Sequence, residues 1–129
     1  MSKIQEAFKN GKAFIPFITC GDPNLNITAE LVKAAVDNGA DLVELGIPFS
    51  DPVAEGPVIQ EANVRALKGG VTTEKIFSLV EKLRKDVSVP LVFMTYANLI
   101  YSATYPTLFS PYFATIFIIA DPTMTPSAY

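Results

Sequence analysis

Glu44-Leu45-Gly46-Ile47-Pro48-Phe49-Ser50-Asp51-Pro52-Val53-Ala54-Glu55-Gly56-Pro57 places one carboxylate at each end of a short connection between a strand and a helix. Asp41-Leu42-Val43-Glu44-Leu45 is an apolar run broken by one acid, and Gly46, Pro48 and Pro52 prevent a helix from following it directly. Glu44 is therefore expected at the C-terminal end of a parallel strand, the end at which α/β sheets and barrels carry their chemistry. Glu55 follows eleven residues later, just before Gly56 and Pro57, and proline is well suited to the first position of a helix. A strand-end acid among apolar neighbours and a solvated loop acid sit in different settings, which suits them to different roles in acid/base work. The competing reading pairs Glu44 with a buried lysine and makes Glu55 only a favourable charge near a helix N-terminus.

Outward from this stretch the chain alternates between strand and helix patterns. Ser2 with Gln5 forms a capping-box start for a short helix carrying Ile4, Ala7 and Phe8 on one side, with Gly11 as its stop. Ala13 to Thr19 reads as the first strand. Asn26 or Thr28 caps a second helix whose buried face is Ile27, Leu31, Ala34 and Ala35, closed by Gly39. The second strand is Asp41 to Leu45, and the loop above leads to a helix from about Pro57 to Lys68 that ends at Gly69-Gly70. Thr72 or Thr73 caps the next helix, with Ile76, Phe77, Val80 and Leu83 at helical spacing, and Val87 to Phe93 is the third strand. This order requires parallel strands joined by right-handed crossovers. Gly21-Asp22-Pro23 reads as a turn, with Asp22 in loop or interface support.

Composition excludes several function classes. The 129 residues leave room for one domain, and half of them are hydrophobic, enough to build a core. A net charge of −3 supplies no basic stripe to neutralise nucleic-acid phosphates. With no His and one Cys, neither a conventional zinc site nor an intrachain disulfide framework is expected. No run approaches the roughly 18 apolar residues a membrane span requires, and no secretory pattern is seen, so a cytoplasmic location is expected.

Three stretches in order, Phe17-Ile18-Thr19-Cys20-Gly21-Asp22-Pro23, the Glu44 to Pro57 run and Met94-Thr95-Tyr96-Ala97-Asn98, resemble motifs of the tryptophan synthase alpha chain family. The resemblance implies a (β/α)8 TIM barrel that cleaves indole-3-glycerol phosphate to indole and glyceraldehyde 3-phosphate by a retro-aldol reaction without a cofactor. It makes Glu44 the acid/base that protonates the indole ring carbon and Glu55 the second carboxylate, which polarises the indole N–H. The family usually has Asp at the latter position, one methylene shorter. Phe17 and Tyr96 match residues lining the indole pocket, and Asn98 would end the third strand. The same loops resemble the surface that docks on the beta chain, which itself uses pyridoxal phosphate; an interaction fragment without turnover is the alternative reading.

Because a (β/α)8 barrel takes about 250 residues, the chain is expected to form a single partial barrel of about four strands, its first half. Residues 1–98 are family-like and 99–129 divergent. In the family the substrate phosphate is held near strands seven and eight, so a chain of this length is expected to be inactive alone. From Val87 onward Asp121 is the only charged residue, and Pro106 and Pro111 interrupt the place of the third barrel helix. Thr115 to Ala120 resembles a fourth strand. Its apolar, uncharged composition beside an open sheet edge predicts an oligomeric or aggregation-prone chain.

Overall fold

The computed structural model describes residues 3–52, 54–96, 99 and 115–119. Its elements are α1 (Lys3–Ala7), β1 (Phe17–Thr19), α2 (Leu25–Asp37), β2 (Val43–Gly46), α3 (Pro57–Lys68), α4 (Thr73–Leu83), β3 (Leu91–Tyr96) and β4 (Thr115–Ile119). The four strands form one sheet in the order β1-β2-β3-β4. All three pairings are parallel, with Phe17 opposite Glu44, Glu44 opposite Val92 and Val92 opposite Thr115. A parallel sheet with helical connections between its first three strands is the repeating unit of a (β/α) barrel, and the expected fold class is met.

The helices form where the sequence punctuates them. Pro57 opens α3 at its first turn, and Gly69 and Gly70 close it, with Gly70 at φ 77°, a backbone conformation that side chains disfavour. Thr72 caps α4, its hydroxyl accepting the Lys75 N–H at 3.4 Å. An isolated helix of 11 residues is marginal in water. Packing therefore decides: Ile76, Phe77, Val80 and Leu83 are all buried, each contributing ~1.5–3 kcal/mol of transfer free energy. They meet Val32 of α2 and Val43, Leu45, Leu91 and Phe93 of the sheet in one core, with Phe77 edge-on to Phe93 at 5.3 Å.

Several local expectations are corrected. The α2 cap is Asn24, whose Oδ1 accepts the Ile27 N–H at 3.0 Å, and neither Asn26 nor Thr28. Thr28 is instead buried within the helix, accepting the Gly21 N–H at 2.9 Å and donating to the Asn24 carbonyl at 3.1 Å. The buried face of α2 is turned accordingly toward Thr28 and Val32, while Leu31 is 45% exposed. Leu31, Ala34 and Ala35 line a groove of about 510 Å3 along β1 with Phe17 and Thr19. Strand β1 is shorter than expected because Pro16 has no N–H to pair; its carbonyl still accepts the Glu44 N–H at 2.9 Å. Strand β3 begins at Leu91, after Pro90, and runs to Tyr96. Ser2, Asn98, Ala120 and the proline-containing segment 101–114 lie outside the described residues.

Candidate functional site

Alternation along the strands sorts their side chains into two faces. Val43, Leu45, Leu91 and Phe93 enter the core beneath the helices. Phe17, Glu44, Gly46, Val92, Met94 and Tyr96 therefore share the opposite face, in matched register across β1, β2 and β3. Phe17 lies over Gly46: a Cβ at that glycine would come 2.5 Å from the Phe17 ring. The absent side chain at residue 46 makes room for the aromatic ring beside Glu44.

Glu44 is half-buried on β2, and its carboxylate has no hydrogen-bond or ion-pair partner among the described residues. The reading that pairs it with a buried lysine is thereby set aside. Glu55 stands outside α3, since Gly56 is the N-cap and Pro57 the first helical residue. Its carboxylate accepts a hydrogen bond from the Tyr96 hydroxyl, Oη to Oε2 3.0 Å. The same hydroxyl accepts the Ala54 N–H at 3.1 Å, and the Tyr96 ring stacks on Phe49 with centroids 4.7 Å apart. Tyr96 is 5% exposed, a core aromatic that also fixes the loop.

The loop is anchored at its base and near its end. Gly46 accepts the Cys20 N–H at 2.9 Å, and the Ile47 N–H reaches the Met94 carbonyl at 3.0 Å, extending the sheet pairing into the loop. At the far end the Gln60 side-chain amide donates to the carbonyls of Pro52 at 3.0 Å and Glu55 at 2.8 Å. Sequence reasoning did not single out Gln60, Phe49 or the Ala54 N–H. A glutamine in the first turn of a helix carries no signal of its own.

The structure thus joins Glu55 directly to Tyr96 and sets Phe17 opposite Glu44, on the face that also carries Tyr96; no hydrogen bond links the two carboxylates. Chemically, this is a face with one partner-free carboxylate, a second carboxylate oriented by a neutral hydroxyl, and aromatic walls. Asp22 takes no part in it. It receives a two-pronged bond from Arg65, Nε to Oδ1 2.9 Å and Nη2 to Oδ2 2.8 Å. That hydrogen bonding, with a lesser contribution from the adjacent positive charge, holds the Asp22 carboxyl below its ordinary range against an opposing desolvation. Cys20 is buried, and burial pushes its thiol up to about 12. Among the described residues no cluster of His, Cys, Asp and Glu could hold a metal ion, and no helix is long and apolar enough to cross a membrane.

A sequence model of the tryptophan synthase alpha chain matches residues 3–121. The chain belongs to the tryptophan synthase alpha chain family. The match continues past Asn98 and through β4. The chain is 52% identical over 105 residues to the tryptophan synthase alpha chain of Lacticaseibacillus casei, covering 81% of this chain and 40% of that one. To the alpha chain of Haloferax volcanii it is 54% identical over 98 residues, 76% of this chain and 35% of the relative. It therefore spans well under half the length of these relatives. Among solved structures, the tryptophan synthase alpha subunit of Legionella pneumophila superposes with a TM-score of 0.73 at 41% identity, covering 78% of this chain and 41% of that one. A mutant alpha subunit from Pyrococcus furiosus superposes with a TM-score of 0.78 at 39% identity, covering 86% and 47%. In length and topology the chain corresponds to a (β/α) portion of these alpha subunits.

Proposed function

We propose that the protein carrying this chain is a lyase of tryptophan biosynthesis that cleaves indole-3-glycerol phosphate to indole and glyceraldehyde 3-phosphate. The observation that supports this best is the contrast between the two acids: Glu44 has no protein partner among the described residues, while Glu55 is oriented by Tyr96. In this reading the indole ring lies against Phe17 and Tyr96. Glu55 accepts a hydrogen bond from the ring N–H and pushes electron density toward the ring carbon that bears the glycerol chain. Glu44 delivers a proton to that carbon. The chain hydroxyl next to the ring then returns a proton to the Glu44 carboxylate left by that transfer as the carbon–carbon bond breaks; its oxygen becomes the aldehyde and the bonding electrons restore the aromatic ring. Atoms balance without a cofactor, and general acid/base groups of this kind contribute ~10²–10⁴-fold each. The extra methylene of Glu55 is accommodated by its bond to Tyr96, which fixes one carboxylate oxygen and leaves the other for the substrate.

A cytoplasmic location and association with a tryptophan synthase beta chain belong to the same proposal. A solved relative from Pyrococcus furiosus is described as a tryptophan synthase complex. The test is indole release from indole-3-glycerol phosphate by the full-length protein, with and without Glu44→Gln. Release that disappears in the variant supports the lyase; no release from the parent overturns it. The short span relative to the alpha chains favours one second reading, an interaction piece that binds a beta chain without turnover. Capture of a beta chain by this chain, with no indole formed, distinguishes it.

A further inference from the structure

We infer that Gln60 is a positioning residue for Glu55, holding the end of the acidic loop so that the carboxylate meets Tyr96; this rests on the lyase reading above. Among the described residues the loop has no ion pair to fix it. Pro48 and Pro52 lack N–H groups, and Glu55 precedes the helix cap, outside the regular bonding of α3. Its order near Glu55 must come from individual bonds, and most of these pass through two side chains. The Tyr96 hydroxyl accepts the Ala54 N–H and donates a hydrogen bond to the Glu55 carboxylate. Gln60 donates to the carbonyl of Glu55 itself and to that of Pro52, three residues earlier.

The chemistry of residue 60 suits this role. A primary amide nitrogen carries two N–H groups and can serve two carbonyls at once. The Gln60 backbone N–H meanwhile bonds to the Gly56 carbonyl at 3.1 Å, closing the first turn of α3. The side chain therefore springs from a fixed point on a helix and reaches back over its own N-terminus. Glutamate at this site would oppose two carbonyl oxygens with acceptors. Leucine or methionine would keep the bulk and lose both bonds, and asparagine would fall a methylene short. The Glu55 backbone is thus held through its carbonyl and its side chain through Tyr96, two attachments on one residue. Releasing the first lets the second drift, and a displacement of about 1 Å at a reacting group can cost on the order of 10²-fold in rate.

The experiment compares Gln60→Met and Gln60→Leu with the parent in the full-length protein, each also in a Glu55→Ala background. We expect kcat to fall roughly 10–100-fold with KM within about twofold, and no further fall once Glu55 is gone, because Gln60 acts through it. Independently of activity, hydrogen exchange at the Ala54 amide should accelerate at least ~10-fold in both variants as its bond to Tyr96 loosens. Unchanged kcat with unchanged Ala54 protection overturns the inference, as do losses that multiply in the double variants. If the parent releases no indole, the lyase reading falls while the Ala54 exchange still decides whether Gln60 holds the loop.

Discussion

Two loops leave the same end of the sheet, each carrying an acid, and they treat it in opposite ways. In the loop after β1, Asp22 is gripped by the Arg65 guanidinium across 43 residues of sequence. In the loop after β2, the partner of the Glu55 carboxylate among the described residues is a phenol, and Glu44, on β2 itself, meets none. A carboxylate bound by a guanidinium is a strut: its charge is neutralised and its lone pairs are taken. A carboxylate oriented by a neutral hydroxyl keeps its charge and a free oxygen. The acid after β1 is held and the acid after β2 is left available, and the difference lies in the partner chosen rather than in the acid.

The largest expected effects come from the two acids of β2 and the loop that follows it. Glu44→Gln keeps shape but cannot transfer a proton, and indole release from the full-length protein should fall ~10²–10⁴-fold with the thermal midpoint nearly unchanged. Turnover within a few-fold of the parent would remove Glu44 from its assigned role. Glu55→Ala should cost roughly 10²-fold in kcat/KM, while Glu55→Asp keeps most of it; steady-state kinetics in which Ala and Glu perform alike would reduce Glu55 to a helix-start residue. Tyr96→Phe deletes one hydrogen bond to a charged group, worth ~1.5–3 kcal/mol at most, and a loss of about 10-fold in kcat is expected from misorientation of Glu55.

Disturbing the structural loop should leave the chemistry alone. Asp22→Asn is expected to change kcat by less than about twofold, because general acid/base groups account for the rate and Asp22 is not among them. Its effect belongs in the pH dependence of stability. The folded-state carboxyl of Asp22 lies below its ordinary value, so the stability it contributes is present above about pH 4 and is lost as the pH falls through the folded value. Unfolding midpoints across the acid range should fall less steeply in Asp22→Asn than in the parent; parallel curves would show that the fork is not a strut. The smallest effect concerns Cys20, whose thiol sits at about 12 in the fold. A thiol reagent at pH 8 should leave it unmodified until denaturant is added. Because the unfolded thiol titrates lower, any stability from keeping it neutral is full below about pH 8.5 and declines above it.

What the sequence made legible depended on how local the cause was. The bounds of α3 follow from Pro57 and Gly69, and the buried face of α4 from four apolar residues at helical spacing, so both were readable. The cap of α2 was not, since Asn24, Asn26 and Thr28 are all competent and only the turn after Gly21 decides which reaches an N–H. Strands β1 and β3 start later than their apolar runs because Pro16 and Pro90 interrupt the pairing. At the site, Phe17, Glu44, Glu55 and Tyr96 could be named from the motifs they resemble. The bonds that organise them, from Gln60 to two carbonyls and from Tyr96 to a residue 41 positions away, are fixed by tertiary placement and leave no mark on spacing.

The bond between Tyr96 and Glu55 also has an optical consequence. The sequence contains no tryptophan, so the chain's intrinsic ultraviolet emission is dominated by its five tyrosines. A phenol that donates a hydrogen bond to a carboxylate emits less than a free one, so Tyr96 is expected to be partly quenched while Glu55 accepts from it. Whatever draws Glu55 away brightens that ring. Tyrosine emission is therefore the expected label-free readout of displacement of the loop.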